Sequence, residues 1–206
     1  GSSYILSKKG HKVYNLILSG NVEARQNKPS DVILQKNVLN AQEIVGAEPP
    51  ILGTFPNIKF NTVPHLELVQ FIEKYIEELS PDYIFTHHPF DINIDHQETS
   101  KACQAASRLF QRKLINPIKG LYFMEIPSAT DWTFKYGSNN YCPNSYIEIG
   151  IDGINKKIEA LNTYEGVMRD FPHPRSKEVL TGLSQLRGAE SGFNYAESFQ
   201  LVFSRL

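Results

Sequence analysis

Tyr83-Ile-Phe-Thr-His-His-Pro-Phe-Asp-Ile-Asn-Ile-Asp-His96 is the stretch that decides how the rest of this sequence is interpreted. It begins with apolar, β-favouring residues and changes at Thr86 to a polar segment that holds three of the six histidines. This change predicts a buried strand that runs into a polar loop. Loops at strand ends are where α/β proteins place their chemistry, so we expect the functional site here.

Helical and strand patterns alternate on both sides of this stretch, which predicts an α/β fold in a single domain over residues 1–206. A polar loop is predicted at 20–29, and an irregular aromatic segment at 131–143. Ser30, Ser176 and Asp152 are candidate helix N-caps. Asp95 with Glu98 has the form of a capping box, which would place His96 in the first turn of the following helix. Predicted helices lie at 2–9, 31–45, 65–79, 96–110, 153–168 and 177–187, and predicted strands at 12–19, 51–55, 83–86, 120–126, 146–151 and 195–203.

Composition excludes several classes of function. The chain has 206 residues, a net charge of -1 and a pI of about 6.7, which argues against a general binder of nucleic acid or anionic membranes. No apolar run approaches the roughly 20 residues of a membrane span, and no secretory signal is recognised. Cys103 and Cys142 match no metal or redox spacing, so we expect structural thiols in a reducing, cytoplasmic compartment.

The histidines and carboxylates of the loop suit a zinc site that activates water for hydrolysis. His96 is the best candidate ligand, because a neutral, metal-bound imidazole fits a helix N-terminus better than a cation does. Asp95 also has a purely structural interpretation as a cap. His87 and His88 are equally compatible with a hydrogen-bonded loop pair and with a role in the site.

His173 and Arg175 lie in the proline-rich segment Phe-Pro-His-Pro-Arg-Ser, from Phe171 to Ser176. Arginine suits phosphate and carboxylate groups, so this pair is a candidate for binding an anionic part of a substrate. A structural turn with a surface arginine explains the same residues equally well. The role of Arg187, Gly188 and Glu197 stays open at this level.

Three segments in this order resemble the PIG-L/LmbE family of zinc-dependent de-N-acetylases. They are the loop from Thr86 to His96, the segment from Phe171 to Ser176, and Arg-Gly-Ala-Glu-Ser-Gly-Phe-Asn-Tyr-Ala-Glu from Arg187 to Glu197. The resemblance implies a Rossmann-like, three-layer α/β/α fold with a mostly parallel sheet. It also implies a Zn2+ cofactor and an N-acetylated amino sugar, or a conjugate of one, as the small-molecule substrate.

The resemblance assigns roles by position. His96 matches a zinc ligand of the family. Asn93 stands where many members have a carbonyl-polarising histidine, so that role falls to Asn93, His88 or His87. Asp95 would orient a neighbouring group, and Arg175, His173, His87 and Lys59 would contact the substrate.

The sequence departs from the family at its start. The family's Ala-His-Pro-Asp-Asp-Glu motif supplies two further metal ligands and the general base, and this sequence lacks it. Residues 1–10 resemble the helix that follows that motif, so the first strand is expected to be missing. Truncation explains this better than natural loss, because the chain starts without Met and its remaining site loop is intact.

The sequence therefore predicts a cytoplasmic, zinc-dependent amidohydrolase that removes an acetyl group, with no nucleic-acid partner and no membrane span. Assembly into a homo-oligomer stays open. One alternative is a non-catalytic sugar-binding or regulatory relative that has lost the metal. A nucleotide-binding Rossmann enzyme is disfavoured, because no GxGxxG follows a strand.

Overall fold

The structure, a computed structural model, describes residues 1–20, 30–135 and 137–206. The loop predicted at 20–29 lies almost wholly outside these residues. The described part contains six α-helices and six strands in a mixed α/β arrangement. In chain order they are α1 (Ser2–Lys8), β1 (Leu16–Ile17), α2 (Asp31–Val45), β2 (Ile51–Leu52), α3 (His65–Leu79), β3 (Tyr83–His87), α4 (Ile94–Ala106), β4 (Gly120–Met124), β5 (Ser145–Glu148), α5 (Gly150–Asn162), α6 (Lys177–Ser191) and β6 (Ala196–Ser204). None of the helices described is both long and apolar enough to cross a membrane.

The chain divides into two compact units. The first unit comprises Gly1–Asn57 and Tyr146–Glu197, and the second comprises Ile58–Ser145 and Ser198–Leu206. The single deacetylase domain over residues 1–206 stays a prediction.

The first unit is built mainly from helices. Its short strands β1 and β2 pair in parallel. Its core centres on Ile149, Ile154 and Leu180, which are 1%, 1% and 2% exposed. Ile5 of α1 packs against this cluster, so α1 is joined to residues far away in the sequence.

The second unit holds the stretch from Tyr83 to His96. Strand β3 pairs in parallel with β4, and β4 pairs antiparallel with β6. Phe85 stacks on Tyr122 across the first of these pairs, with ring centroids 4.9 Å apart. Helix α3, which spans the predicted range 65–79, buries Leu68, Val69, Ile72 and Ile76 on one face. Two of the three strand pairs with a defined register are therefore parallel.

Most predicted helices are confirmed, but two predicted caps are wrong. Ser30 and Ser176 do cap α2 and α6, each accepting a hydrogen bond from a backbone N–H three residues on. Asp152 does not cap α5, because the helix already begins at Gly150. Its carboxylate lies in the first turn instead, 3.9 Å from Lys8. The second wrong cap, Asp95, belongs to the candidate site.

Candidate active site

The turn between β3 and α4 carries the residues that the sequence singled out. β3 ends at His87 and is paired with β4 along its whole length, which fixes one end of the turn. The backbone N–H of Asp91 donates to the carbonyl of His88 at 3.1 Å. α4 begins at Ile94 and fixes the other end. The turn is therefore short and anchored on both sides, as a positioned set of side chains requires.

Asp91 lies at the centre of this turn and is completely buried. Its Oδ1 accepts the backbone N–H of Asn93 at 2.9 Å, and its Oδ2 accepts the hydroxyl of Thr130 at 3.0 Å. His96 Nδ1 lies 3.1 Å from Asp91 Oδ1, although the ring N–H does not point along that line. Burial acts to raise the pKa of Asp91, but His96 and the two hydrogen bonds outweigh it and lower the pKa. Asp91 is thus an ionised carboxylate held against an imidazole.

His87 and His96 lie face to face beside Asp91. Their ring centroids are 4.0 Å apart and their planes are inclined by 18°. Burial, together with repulsion from His96, lowers the pKa of His87 to about 3, so His87 is uncharged at neutral pH. His87 Nδ1 is buried and has no hydrogen-bond partner among the residues described. A buried nitrogen of this kind is costly unless a ligand engages it.

His88 has a different environment, although it is adjacent in sequence. It is 5% exposed, and its ring meets the rings of Phe123 and Tyr141 edge-on, with centroid distances of 5.6 and 5.8 Å. Its Nδ1 accepts the backbone N–H of Phe90 at 3.3 Å, which assigns the proton to Nε2. Burial lowers the pKa of His88 and Asp91 opposes this only in part. His88 is therefore a neutral imidazole with Nε2–H as its donor.

Asn93, and not Asp95, is the N-cap of α4. The side-chain oxygen of Asn93 accepts the backbone N–H of Asp95 at 2.9 Å. The helix begins earlier than predicted because Asn93 is an equally good cap and Asp91 holds its backbone N–H. Asp95 instead accepts the backbone N–H groups of Ile58 and Phe60. His96 does lie in the first turn, as predicted.

Lys59 lies in the sequence between Ile58 and Phe60, the two residues whose N–H groups bind Asp95. It is exposed, and it directly precedes the short 3-10 segment Phe60–Thr62. The backbone at Lys59 is therefore attached to α4, while its side chain faces solvent. The predicted contact of Lys59 with a substrate stays a prediction.

His173 and Arg175 belong to the first unit. The backbone N–H of Arg175 donates to His173 Nδ1 at 3.0 Å, which makes a local turn before α6. A cavity of about 630 Å³ in the same unit is lined by the neighbouring Arg169, Asp170, Lys177 and Glu178, but not by His173 or Arg175. Its charges balance, so the cavity does not favour an anion. The substrate roles of His173 and Arg175 stay predictions.

Glu197, which ends the third segment of the resemblance, has strongly charged surroundings in the first unit. Lys157 Nζ lies 2.6 Å from Oε1, and the backbone N–H of Ser2 donates to Oε2 at 2.7 Å. Burial acts to raise the pKa of Glu197, but the attraction of Lys157 and these hydrogen bonds lower it well below its usual range. The close partners give Glu197 a structural role in joining α5, β6 and the first helix.

Asp91 was not identified from the sequence, and neither were Tyr141 and Ser198, the hydrogen-bonded pair next to His88. Asp91 could have been found, because it lies five residues before His96 in a loop already recognised as polar. Thr130 is 39 residues from Asp91 and gave no signal in the sequence. The same is true of Ser198, which donates to Glu125 at 2.9 Å and lies 3.2 Å from the hydroxyl of Tyr141. Because Ser198 gives its proton to Glu125, Tyr141 is the donor in the second contact.

The histidine nitrogen atoms beside Asp91 resemble those of a histidine-bound metal site in one respect. A metal-ligating histidine ordinarily has its other ring nitrogen next to a carboxylate, and Asp91 takes that place at His96 Nδ1. The unpartnered His87 Nδ1 adds a second buried nitrogen. Within the described ranges, no three His, Cys, Asp or Glu residues come together to hold a metal ion. His96 and Asp91 thus fit a ligand and its orienting partner.

The fold and this histidine–carboxylate turn define a class of protein. The family model of PIG-L, GlcNAc-PI de-N-acetylase, matches residues 1–107, slightly more than half of the chain. The chain belongs to the PIG-L family. No curated protein matches this sequence.

Solved structures share the whole fold at low sequence identity. The conserved protein TT1542 from Thermus thermophilus is 20% identical, with a TM-score of 0.78 over 100% of this chain and 88% of that one. The N,N'-diacetylchitobiose deacetylase from Pyrococcus horikoshii is 15% identical, with a TM-score of 0.74 over 98% of this chain and 76% of that one. GalB, the 4-carboxy-2-hydroxymuconate hydratase from Pseudomonas putida, is 17% identical, with a TM-score of 0.73 over 100% of this chain and 90% of that one. The fold thus carries more than one activity, and the function must be argued from the site.

Proposed function

We propose that this protein is a zinc-dependent de-N-acetylase that acts on an N-acetylated amino sugar or a conjugate of one. The observation that carries the proposal is the contact of the buried, ionised Asp91 with His96, beside the uncharged His87. The PIG-L family membership supports the same reaction class. The reaction breaks the acetamide C–N bond, forms a C–O bond with water, and releases acetate and a free amine.

The residues of the turn would have different roles in this reaction. A bound zinc ion would polarise the acetamide carbonyl and lower the pKa of a water to roughly 7. His96 would be one ligand, with the carboxylate of Asp91 lying 3.1 Å from its Nδ1 as the orienting charge. His88 would donate from Nε2–H to the carbonyl oxygen as negative charge develops there, because its proton position is fixed by Phe90. Asn93 holds the start of α4, and so the direction of His96.

The rest of the substrate would meet residues outside this turn. Lys59, His87, His173 and Arg175 are the proposed substrate contacts. We place the protein in the cytoplasm as a small-molecule enzyme, which agrees with its two free cysteines. Assembly into a homo-oligomer is compatible with this proposal.

The test is zinc content and acetate release for the full chain and for His96→Ala. With the protein expressed together with whatever residues are encoded before Gly1, we expect zinc to be bound and acetate to be released from N,N'-diacetylchitobiose, and both to be lost in His96→Ala of the same protein. His65→Ala is the matched control, because His65 is an exposed histidine at the start of α3, with Glu98 Oε2 4.0 Å from its Nδ1.

Retention of zinc by His96→Ala would overturn the ligand assignment. Metal-free parent protein that binds the sugar without turnover would favour the non-catalytic relative instead. Turnover without zinc would contradict the proposed chemistry.

A further inference from the structure

His88, Glu125 and Ser198 lie side by side at one end of the sheet of the second unit. The last residue of β3 lies opposite Met124 of β4, which in turn lies opposite Phe199 of β6. Each of the three residues is the next one beyond this row on its own strand. Because side chains alternate along a strand, the three lie together on the face opposite to the row. The sheet therefore places a carboxylate and a hydroxyl beside the imidazole of His88.

A tyrosine from a distant segment extends this group. Ser198 donates to Glu125 Oε2 at 2.9 Å, and the hydroxyl of Tyr141 lies 3.2 Å from Ser198 Oγ. Because the serine proton is used, Tyr141 is the donor to Ser198. The carboxylate also polarises the serine, which makes Ser198 a better acceptor for the tyrosine. Two hydrogen bonds in series therefore fix the hydroxyl of Tyr141.

The ring of Tyr141 is one of two rings that meet the imidazole of His88 edge-on. Its centroid lies 5.8 Å from that of His88 with the planes at 87°, and Phe123 makes the same contact at 5.6 Å and 86°. This arrangement is favourable for aromatic rings. Phe123 belongs to β4 and is held by the sheet, whereas Tyr141 lies outside any helix or strand. The orientation of the Tyr141 ring therefore depends on the hydrogen bond of its own hydroxyl.

The backbone after Tyr141 is held independently of that hydroxyl. The N–H of Cys142 donates to Gln200 Oε1 at 3.2 Å, and the N–H of Asn144 donates to the carbonyl of Phe199 at 3.0 Å. Both partners belong to β6. Loss of the tyrosine hydrogen bond should therefore free the ring without detaching the segment from the sheet.

We infer that Tyr141, Ser198 and Glu125 are positioning residues, which hold the imidazole of His88 in the plane where its Nε2–H reaches the acetamide oxygen. This inference rests on the proposed function for the role of His88. The Nδ1 of His88 accepts the N–H of Phe90 at 3.3 Å, which is long for a hydrogen bond, so packing of the neighbouring rings supplies further restraint. The three residues act through the ring of His88.

The first test is NMR of the histidine rings, which needs neither metal nor turnover. Ser198→Ala removes the acceptor of the tyrosine hydroxyl but leaves both rings, so we expect the Cε1–H resonance of His88, assigned from its loss in His88→Gln, to move. Tyr141→Phe breaks the same bond and should move the resonance as well. Tyr146→Phe is the matched control, because it breaks a tyrosine–carboxylate bond to Glu190 in the first unit. An unmoved His88 resonance in Ser198→Ala would overturn the inference.

The second test is acetate release from N,N'-diacetylchitobiose by the protein expressed with whatever residues are encoded before Gly1. We expect Ser198→Ala and Tyr141→Phe to lower kcat about threefold to tenfold with little change in KM, because His88 donates to charge that develops in the transition state. Glu125→Gln should keep most of kcat, since its amide oxygen still accepts the serine hydroxyl. Glu125→Ala should resemble Ser198→Ala.

A double variant separates positioning from a general effect on the fold. In His88→Gln the ring is absent, so adding Ser198→Ala should lower kcat by less than about twofold. A further fall of about threefold or more, or an unchanged kcat in both Ser198→Ala and Tyr141→Phe, would overturn the inference. Absence of acetate release by the parent protein would count against the proposed function, and the NMR test would then decide the inference alone.

Discussion

Two carboxylates, the fully buried Asp91 in the second unit and the partly buried Glu197 in the first, are stabilised in different ways. Glu197 lies against the full positive charge of Lys157, at 2.6 Å. Asp91 is stabilised by a backbone N–H, a threonine hydroxyl and a histidine. In the first arrangement, the charge of the carboxylate is balanced by a full positive charge. The second leaves an imidazole beside the charge, and that imidazole can still bind a ligand.

The comparison distinguishes a carboxylate that stabilises the fold from one that orients a side chain for the proposed reaction. A residue paired with lysine loses a folding partner when it is replaced, and its effect should appear as stability. A residue that orients an imidazole should appear as lost metal affinity or activity. Both carboxylates have lowered pKa values, so the pKa shift alone does not distinguish them.

Replacing Glu197 should give the largest change in stability. Glu197→Gln leaves Lys157 without its charged partner, and we expect a loss of about 3 kcal/mol at most in the free energy of unfolding at pH 7. Because the pKa of Glu197 in the folded state lies below its ordinary value of 4.5, its contribution is complete above pH 4.5 and is lost as the pH falls further. Urea unfolding from pH 7 down to pH 3 measures both effects. A stability difference that stays constant over that range would contradict the assignment.

Replacing Asp91 should act mainly on function. Asp91→Asn keeps the size of the side chain but removes the charge beside His96, and we expect deacetylation to fall about 10- to 100-fold by analogy with other carboxylates that orient metal ligands. The measurement is kcat/KM for acetate release, with Glu197→Gln as the control at a temperature where both variants are folded. Equal losses in the two variants would remove the distinction between the carboxylates.

Substitution of Gly188 tests whether the segment that ends at Glu197 has a structural role. A Cβ at Gly188 would lie 2.6 Å from the backbone carbonyl oxygen of Phe193, so Gly188→Ala must displace the backbone. We expect a loss of about 1–2 kcal/mol in the free energy of unfolding. Gly182→Ala, on the same helix, meets nothing within 4 Å and should be neutral or stabilising by about 0.5–1 kcal/mol. Equal thermal stability of the two variants would show that this close approach is not needed.

The sequence predicted those elements whose signals are local. The helix predicted at 65–79 and the serine caps of α2 and α6 each depend on residues within a few positions, and the structure confirms them. The start of α4 was misplaced because Asn93 and Asp95 are equally good caps, and the choice depends on Asp91 and on the loop at Ile58.

The site was predictable only in part, for a similar reason. His96 and the loop could be recognised from the order of residues. The partner of His96, Asp91, could also have been recognised, because it is close to His96 in the sequence. Thr130, Ser198 and Lys157 come from distant segments, and only folding brings them to the carboxylates of Asp91, Glu125 and Glu197. Tyr141 is brought to Ser198 in the same way.

The central claim is that Asp91 orients a metal-binding histidine while Glu197 only holds the fold together. Its most direct test is the zinc affinity of the parent protein, Asp91→Asn and Glu197→Gln, each expressed with whatever residues are encoded before Gly1 and measured side by side by competition with a chelator. We predict binding about 10- to 100-fold weaker in Asp91→Asn and unchanged in Glu197→Gln. Zinc affinity that is equal in all three proteins, or that falls only in Glu197→Gln, would contradict the account.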